Sequence, residues 1–293
     1  MAPSLRLRVY AALLRLSVRS RLGDMRDLGR LRRVFEGVTL PPPRGVRFRA
    51  DTLGGVPGEW AEAGGAKPLF YLHGGGFVGC SPQTHRVITG GFARRGFRVF
   101  APDYRLAPAH PFPAAVDDAA AAWRGFAERV DAPAAVAGDS AGGNLALSLT
   151  LIVKREARRP AAAALFSPAT DLTGKSESWR SNAHRDAMFT DQLANLGAFY
   201  INGADPRDPR VSPLFGDLAG LPPMLFHVGA EEILRDDSIR FAAAATAAGS
   251  PAEVKVWEGA PHVWQFMHAY VPEARRSLDE AAAFLTRALG NPR

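Results

Sequence analysis

Short apolar runs alternate with longer alanine-rich segments along most of the chain. Leu69–Leu72, the group Phe97, Val99 and Phe100 ending at Pro102, Ala134–Ala137, Ala162–Phe166, Met224–Val228 and Val254–Trp257 are compact runs bounded by Gly, Pro or Asp. Continuous apolar runs of this length predict strands buried on both faces. Between them, Ala115–Val130, Leu145–Val153, Ile239–Ala248 and Leu278–Leu289 carry helical spacing. Strands alternating with helices predict a mostly parallel sheet covered on both sides. Residues 171–210 break the alternation: they are polar, contain a helical run from Asp191 to Ile201, and are too long for an ordinary connection. They are read as an insertion lying over the top of the sheet. Near the start, Leu5, Leu7, Val9, Leu13, Leu14, Leu16 and Val18 are spread among arginines, before a loop signal at Pro41–Gly45. This predicts an amphipathic helix packed on the protein's own surface and able to join the insertion. A membrane-surface anchor and a transit peptide are the alternatives. The organisation that follows is an N-terminal cap segment over residues 1–45 and a catalytic domain over 46–293, with a cap insertion at about 171–210.

Charge changes this picture in one place. The chain of 293 residues carries a net charge of +7, which suggests a nucleic-acid partner until the charge is located. Residues 1–33 hold nine arginines against two aspartates, and the remainder holds equal numbers of basic and acidic residues. The basic character therefore belongs to one segment. A single cysteine, Cys80, excludes an internal disulfide framework and any multi-cysteine metal site, and its default reading is burial. No apolar run approaches the ~20 residues of a membrane span, and the run Val9–Leu14 is too short for a signal-peptide core. The expected setting is the cytoplasm.

The chemistry enters at Gly138-Asp139-Ser140-Ala141-Gly142, which follows a predicted strand and precedes an apolar helix. A sharp strand-to-helix turn of this kind lifts a serine hydroxyl above the sheet edge. The stretch lacks the lysine and spacing of a phosphate loop. His73-Gly74-Gly75-Gly76-Phe77 directly follows the run Leu69–Leu72. Consecutive glycines let backbone amides approach a substrate oxygen, and amides aimed at a developing oxyanion stabilise it. The donors expected are the amides of Gly74, Gly75 and Ala141, with His73 bracing the loop.

With these motifs stands Asp103-Tyr104-Arg105-Leu106-Ala107-Pro108, continued by Pro111, Pro113, Asp117 and Asp118. Over roughly residues 65–290 the chain resembles the hormone-sensitive lipase family of α/β-hydrolases, in its bacterial esterase branch. The resemblance implies an α/β-hydrolase core and a helical cap made from the N-terminus and the insertion. In this fold the triad runs Ser, acid, His, which leaves His184, His227, His262 and His268 as bases. His227 falls inside a predicted strand, His184 in the proposed cap and His268 in a following helix; His262 lies on a loop after the strand Val254–Trp257 and is the choice. For the acid, the family usually has Asp-Pro-Leu-Arg-Asp where this chain has Glu231-Glu232-Ile233-Leu234-Arg235-Asp236. The match places Glu232 at the family's catalytic aspartate, a departure of one methylene, with Glu231 and Asp236 as alternatives. Asp139 resembles the family's residue before the nucleophile and is assigned a bracing role.

The predicted reaction is hydrolysis of short- to medium-chain carboxylic esters or lactones through an acyl-enzyme on Ser140, with no metal and no cofactor. Phe77, Trp179, Met188, Phe189, Phe199 and Trp264 are the candidate pocket walls. The expected partner is a small-molecule ester, with neither nucleic acid nor an integral membrane; a homodimer is compatible with the chain. Three other readings stay open at this level: a non-catalytic ligand-binding protein on the same fold, an amidase or peptidase, and a membrane-associated lipase.

Overall fold

The computed structural model describes residues 2–22, 27–37, 40–190 and 192–290. Among the described residues, eight strands form one sheet in the order β1-β2-β4-β3-β5-β6-β7-β8. They span Arg47–Leu53 (β1), Val56–Glu62 (β2), Lys67–Leu72 (β3), Phe97–Pro102 (β4), Ala135–Asp139 (β5), Ala163–Phe166 (β6), Met224–Gly229 (β7) and Ala252–Trp257 (β8). The six apolar runs are β3 to β8, and these pair in parallel. The sequence reading missed β1 and β2, an antiparallel hairpin that joins the sheet edge through β2 and β4.

Alternate residues along the strands supply two cores, as a pleated sheet covered on both faces requires. Phe70, Leu72, Phe100 and Val136 face helices Ala114–Val130, Ser140–Val153 and Arg235–Ala247. Leu69, Tyr71, Val99 and Ala135 face helices Arg86–Ala93 and Pro272–Gly290.

The register lines up the carboxyl ends of the parallel strands. Leu72 pairs with Gly138, Asp139 with Phe166, Phe166 with His227, and Gly229 with Trp257. The loops that follow β3, β5, β6, β7 and β8 therefore converge on one edge. In an open parallel sheet that edge is where ligands bind.

Two segments cover it. Helix α1, Leu5–Leu14, continues through a π-helical turn at Arg15–Arg19 into Ser20–Leu22, and α2 spans Leu28–Gly37. Ser4 caps α1 by accepting the Leu7 amide at 3.2 Å, while its own N–H and Oγ–H donate to Glu273 at 2.8 Å each. Leu7 is fully buried with Ala260, Trp264 and Ala274, so one face of the basic helix packs on the protein's own surface. The second segment lies between β6 and β7 and contains helices Ser178–Ser181 and Leu193–Ile201. The helical run expected to begin at Asp191 begins at Leu193; Asp191 itself is outside the described residues. Arg19 clamps the two segments together: its guanidinium donates to the carbonyls of Ala183 (2.8 Å), Phe189 (3.0 Å) and Asp186.

Candidate active site

Ser140 sits at the first turn of its helix with φ +53°, in the left-handed region. An L-residue held there is strained, and here the strain turns the side chain out of the sheet edge. The surroundings enforce the turn. A β-carbon on Gly142 would lie 2.1 Å from the Leu72 carbonyl oxygen and 2.3 Å from that of His73, so only glycine lets the helix dock against the end of β3.

His262, on the loop after β8, is 5% exposed. Its Nδ1–H donates to Glu232 Oε2 at 2.7 Å. Its Nε2 is buried without a partner among the described residues, in a ring that lines the same cavity as Ser140. The edge of the ring meets Phe189, with centroids 4.8 Å apart. Burial disfavours the imidazolium, but the hydrogen bond and charge of Glu232, helped by Asp186 and Asp139, outweigh it and hold the imidazole above its ordinary value.

Glu232 is almost wholly buried. Besides His262 it accepts from Ser167 Oγ at 2.7 Å and from the Gly229 amide at 2.6 Å, both on Oε1. The extra methylene is thus accommodated by two donors that fold the carboxylate back toward the ring. The alternatives are engaged elsewhere: Glu231 pairs with Arg185 at 3.4 Å on the surface, and Asp236 accepts the Ser178 amide at 2.9 Å. Of the other histidines, His227 is buried against Ser277 with its pKa lowered to about 3 by desolvation, His268 donates to the Val87 carbonyl at 2.9 Å, and His184 is exposed.

The glycine loop corrects one expectation. The Gly74 N–H is spent inside the protein, shared between Asp139 Oδ1 (3.2 Å) and His85 Nε2 (3.3 Å). It cannot also face a substrate oxygen. The Gly75 and Gly76 amides meet no acceptor among the described residues, and both residues line the cavity. Gly75 has φ +113°, and a β-carbon there would fall 2.2 Å from the Gly79 carbonyl oxygen. Spacing alone could not say which of three consecutive amides points outward; Asp139 decides it. This aspartate is buried and also accepts from Tyr71 Oη–H at 2.6 Å. Burial works against its ionised form, yet His85 and Tyr71 hold its carboxyl below the ordinary value.

The Asp-Tyr-Arg element braces the same loop from behind. Tyr104 stacks on the His73 ring at 4.2 Å and donates to the His73 carbonyl at 2.6 Å. The Arg105 guanidinium donates to both Asp118 carboxylate oxygens, at 2.7, 2.9 and 3.1 Å.

The cavity above Ser140 measures about 670 Å³. Met188 and Phe189 line it, as the sequence suggested. Phe77, Trp179, Phe199 and Trp264 do not, and each is held elsewhere. Phe77 stacks on Tyr200 at 3.8 Å, Trp264 packs on Trp257 at 5.6 Å, Trp179 belongs to the main core, and Phe199, partly buried, packs against that core. The walls the sequence missed come from both covering segments: Tyr10, Leu13, Val34 and Phe35 from the first, Leu193 and Leu196 from the second. Cys80 also faces the cavity, but burial pushes its thiol up to about 12, so it stays protonated and unreactive.

Three supporting residues also escaped the sequence reading. Ser167 holds Glu232 as described. Asn182 Nδ2 donates to the carbonyls of Glu232 (2.9 Å) and Ala230 (3.2 Å). Asp186, buried, accepts the amides of Met188, Phe189 and Ile233 at 2.7–2.9 Å. The insertion therefore grips the loop that carries Glu232. No pattern in the polar insertion marks Asn182 or Asp186, because their partners on the Glu232 loop are backbone groups some fifty positions away, and Ser167 meets a carboxylate on another strand's loop.

A family model described as an alpha/beta hydrolase fold matches residues 69–266. The chain is 36% identical to an esterase crystal structure described as belonging to the bacterial hormone-sensitive lipase family, with a TM-score of 0.91 over 99% of this chain and 100% of that one. The chain belongs to the hormone-sensitive lipase family of α/β-hydrolases. A second solved structure, EstE5, whose crystal was soaked with p-nitrophenyl butyrate, superposes with a TM-score of 0.93 at 34% identity, over 98% of this chain and 100% of that one. An acetyl-hydrolase of Streptomyces hygroscopicus is 39% identical over 269 residues, covering 89% of this chain and 88% of that protein. The hydrolase core and the mostly parallel sheet are thus those the sequence implied.

Proposed function

We propose that this α/β-hydrolase is a serine carboxylesterase in which Ser140 is the nucleophile, His262 the base and Glu232 the acid that orients it. One observation carries the reading. The His262 imidazole is fixed by Glu232 at Nδ1 and keeps an unpartnered Nε2 among the described residues, and His262 lines one cavity together with Ser140, Gly75 and Gly76. Attack by Ser140 Oγ on an ester carbonyl sends its proton to Nε2. The oxyanion is received by the amides of Gly75, Gly76 and Ala141, the last at the positive end of the helix that Ser140 begins. The imidazolium, stabilised by Glu232, then protonates the leaving alcohol. Water deprotonated by His262 releases the acid from Ser140.

The cavity is lined mainly by apolar side chains and is the size of a small-ligand site, which favours short- to medium-chain acyl esters. The named acetyl-hydrolase and the EstE5 crystal soaked with p-nitrophenyl butyrate support the same class. Saturable turnover of p-nitrophenyl acetate and butyrate, falling toward the palmitate, is the expected result, with no release from the matching p-nitroanilides. A well-folded protein that turns over no ester of the series, or that cleaves the anilides faster, overturns the proposal.

The carboxylates around His262 set a pH dependence. His262 must be neutral to take the serine proton, so kcat/KM falls as pH drops through its raised pKa. Asp186→Asn removes one negative charge that favours the imidazolium. The imidazole pKa falls, and the acid limb of the kcat/KM profile is expected to move to lower pH by a few tenths of a unit. A limb that stays in place would show that Asp186 acts only by holding the loop.

A further inference from the structure

Seven large apolar side chains are exposed among the described residues, and four of them lie on one helix: Leu5 (73% exposed), Val9 (49%), Leu13 (56%) and Leu16 (75%). Spacings of four, four and three residues put them on one stripe. The opposite face of the same helix is already occupied, with Leu7, Leu14 and Val18 buried. The fold therefore does not use the exposed stripe. The stripe also leads to the candidate site, because Leu13 lines the cavity together with its neighbours Tyr10 and Ser17.

Cations surround this stripe. Arg8 is exposed on the helix itself, and Arg21, Arg30 and Arg33, also exposed, line the cavity mouth. None of the four pairs with a carboxylate among the described residues. The net charge of the whole chain resides in this segment.

We propose that this face docks on an anionic phospholipid surface, with the Leu5–Leu16 stripe seated at the headgroup–acyl boundary, the arginines on the phosphates and the cavity mouth turned to the lipid. An exposed apolar helix face bordered by basic residues has the chemistry of interfacial helices, and guanidinium groups match phosphate geometry. A second copy of the chain is a poorer fit. A two-fold interface would set the same arginine-bordered stripe against itself, like charge against like. The docked orientation presents the cavity to esters dissolved in the lipid.

The test is sedimentation of the full chain with phosphatidylcholine vesicles, with and without about one third phosphatidylglycerol. The anionic vesicles are expected to carry the protein down and the neutral ones far less, with binding weakened by salt. The double variant Leu5→Gln/Leu16→Gln changes two solvent-facing positions to another good helix former and is expected to bind about tenfold more weakly, with an unchanged circular dichroism spectrum. Ser140→Ala is expected to sediment like the parent, which separates docking from hydrolysis. The proposal is overturned by a parent that stays in the supernatant with anionic vesicles, or by a double variant that binds as well as the parent. It is also overturned if sedimentation velocity shows a dimer that the double variant loses while vesicles bind neither.

Discussion

Ser140→Ala is expected to lower kcat on p-nitrophenyl acetate on the order of 10⁶-fold, with the far-ultraviolet dichroism and unfolding midpoint unchanged. The substitution removes one oxygen and leaves the backbone as it was, since alanine fits the tight turn at φ +53° as well as serine does. Among the described residues that line the cavity, the other nucleophiles are engaged elsewhere. Cys80 faces the same cavity but is held as the thiol. Ser17 and Thr84 line the cavity as well, but Thr84 is hydrogen-bonded to the Ser81 carbonyl and to His85, and Ser17 donates to the Leu13 carbonyl. The residual rate comes from the oxyanion amides acting on water attack. The check is active-site titration with an activated ester, in which the parent gives a burst and the variant none. A burst that survives would place the nucleophile elsewhere.

The second large effect falls on the acid. Glu232→Gln is expected to reduce kcat about 10⁴-fold with KM little changed. Three donors converge on this carboxylate: Ser167 Oγ, the Gly229 amide and His262 Nδ1. An amide side chain has only one oxygen to offer them. If that oxygen serves Ser167 and Gly229, the amide NH₂ faces the imidazole and drives it to the tautomer with hydrogen on Nε2. That ring cannot accept the serine proton. Glu232→Asp keeps the charge but draws the carboxylate back by one methylene while its partners stay fixed, and a loss of about 10²-fold is expected. Glu231→Gln, which breaks only a surface pair of 3.4 Å with Arg185, should leave kcat within about twofold. A larger loss at Glu231 than at Glu232 would reverse the assignment.

What could be read from the chain divides by how local its cause is. β3 to β7 were legible because a strand buried on both faces must be largely apolar; β8 is an edge strand, exposed at Glu253 and Lys255, and was legible only from Val254, Val256 and Trp257. The hairpin β1–β2 was not: Arg47, Arg49, Asp51 and Glu59 interrupt it, and its burial rests on a few residues such as Trp60. Helix Arg86–Ala93 was missed because Gly90 and Gly91 weaken its propensity. A β-carbon on Gly91 would meet Leu278 at 2.7 Å, so close packing against the C-terminal helix accounts for what propensity alone would reject. Ser140 and His262 stand in loops fixed by strand order and could be picked out. Met188 and Phe189 apart, the walls supplied by the covering segments could not, because they stand on helices far from Ser140 in the chain. Trp264 shows the limit of adjacency. It lies two residues from His262, yet a short 3₁₀ turn carries it to Trp257 and Leu7.

The close docking of Gly142 against the Leu72 and His73 carbonyls joins the turn bearing Ser140 to the glycine loop as one piece of backbone. The position of the Ser140 backbone relative to the glycine loop is then set by main-chain contact, with the side chains of Asp139 and Tyr104 holding the loop from within. The cavity roof, by contrast, is assembled from side chains of two covering segments, joined to each other through the carbonyls around Arg19. Inheritance can act on these two parts separately. Descendant sequences are free to replace the roof residue by residue, exploring new substrates, while the geometry of attack passes on intact.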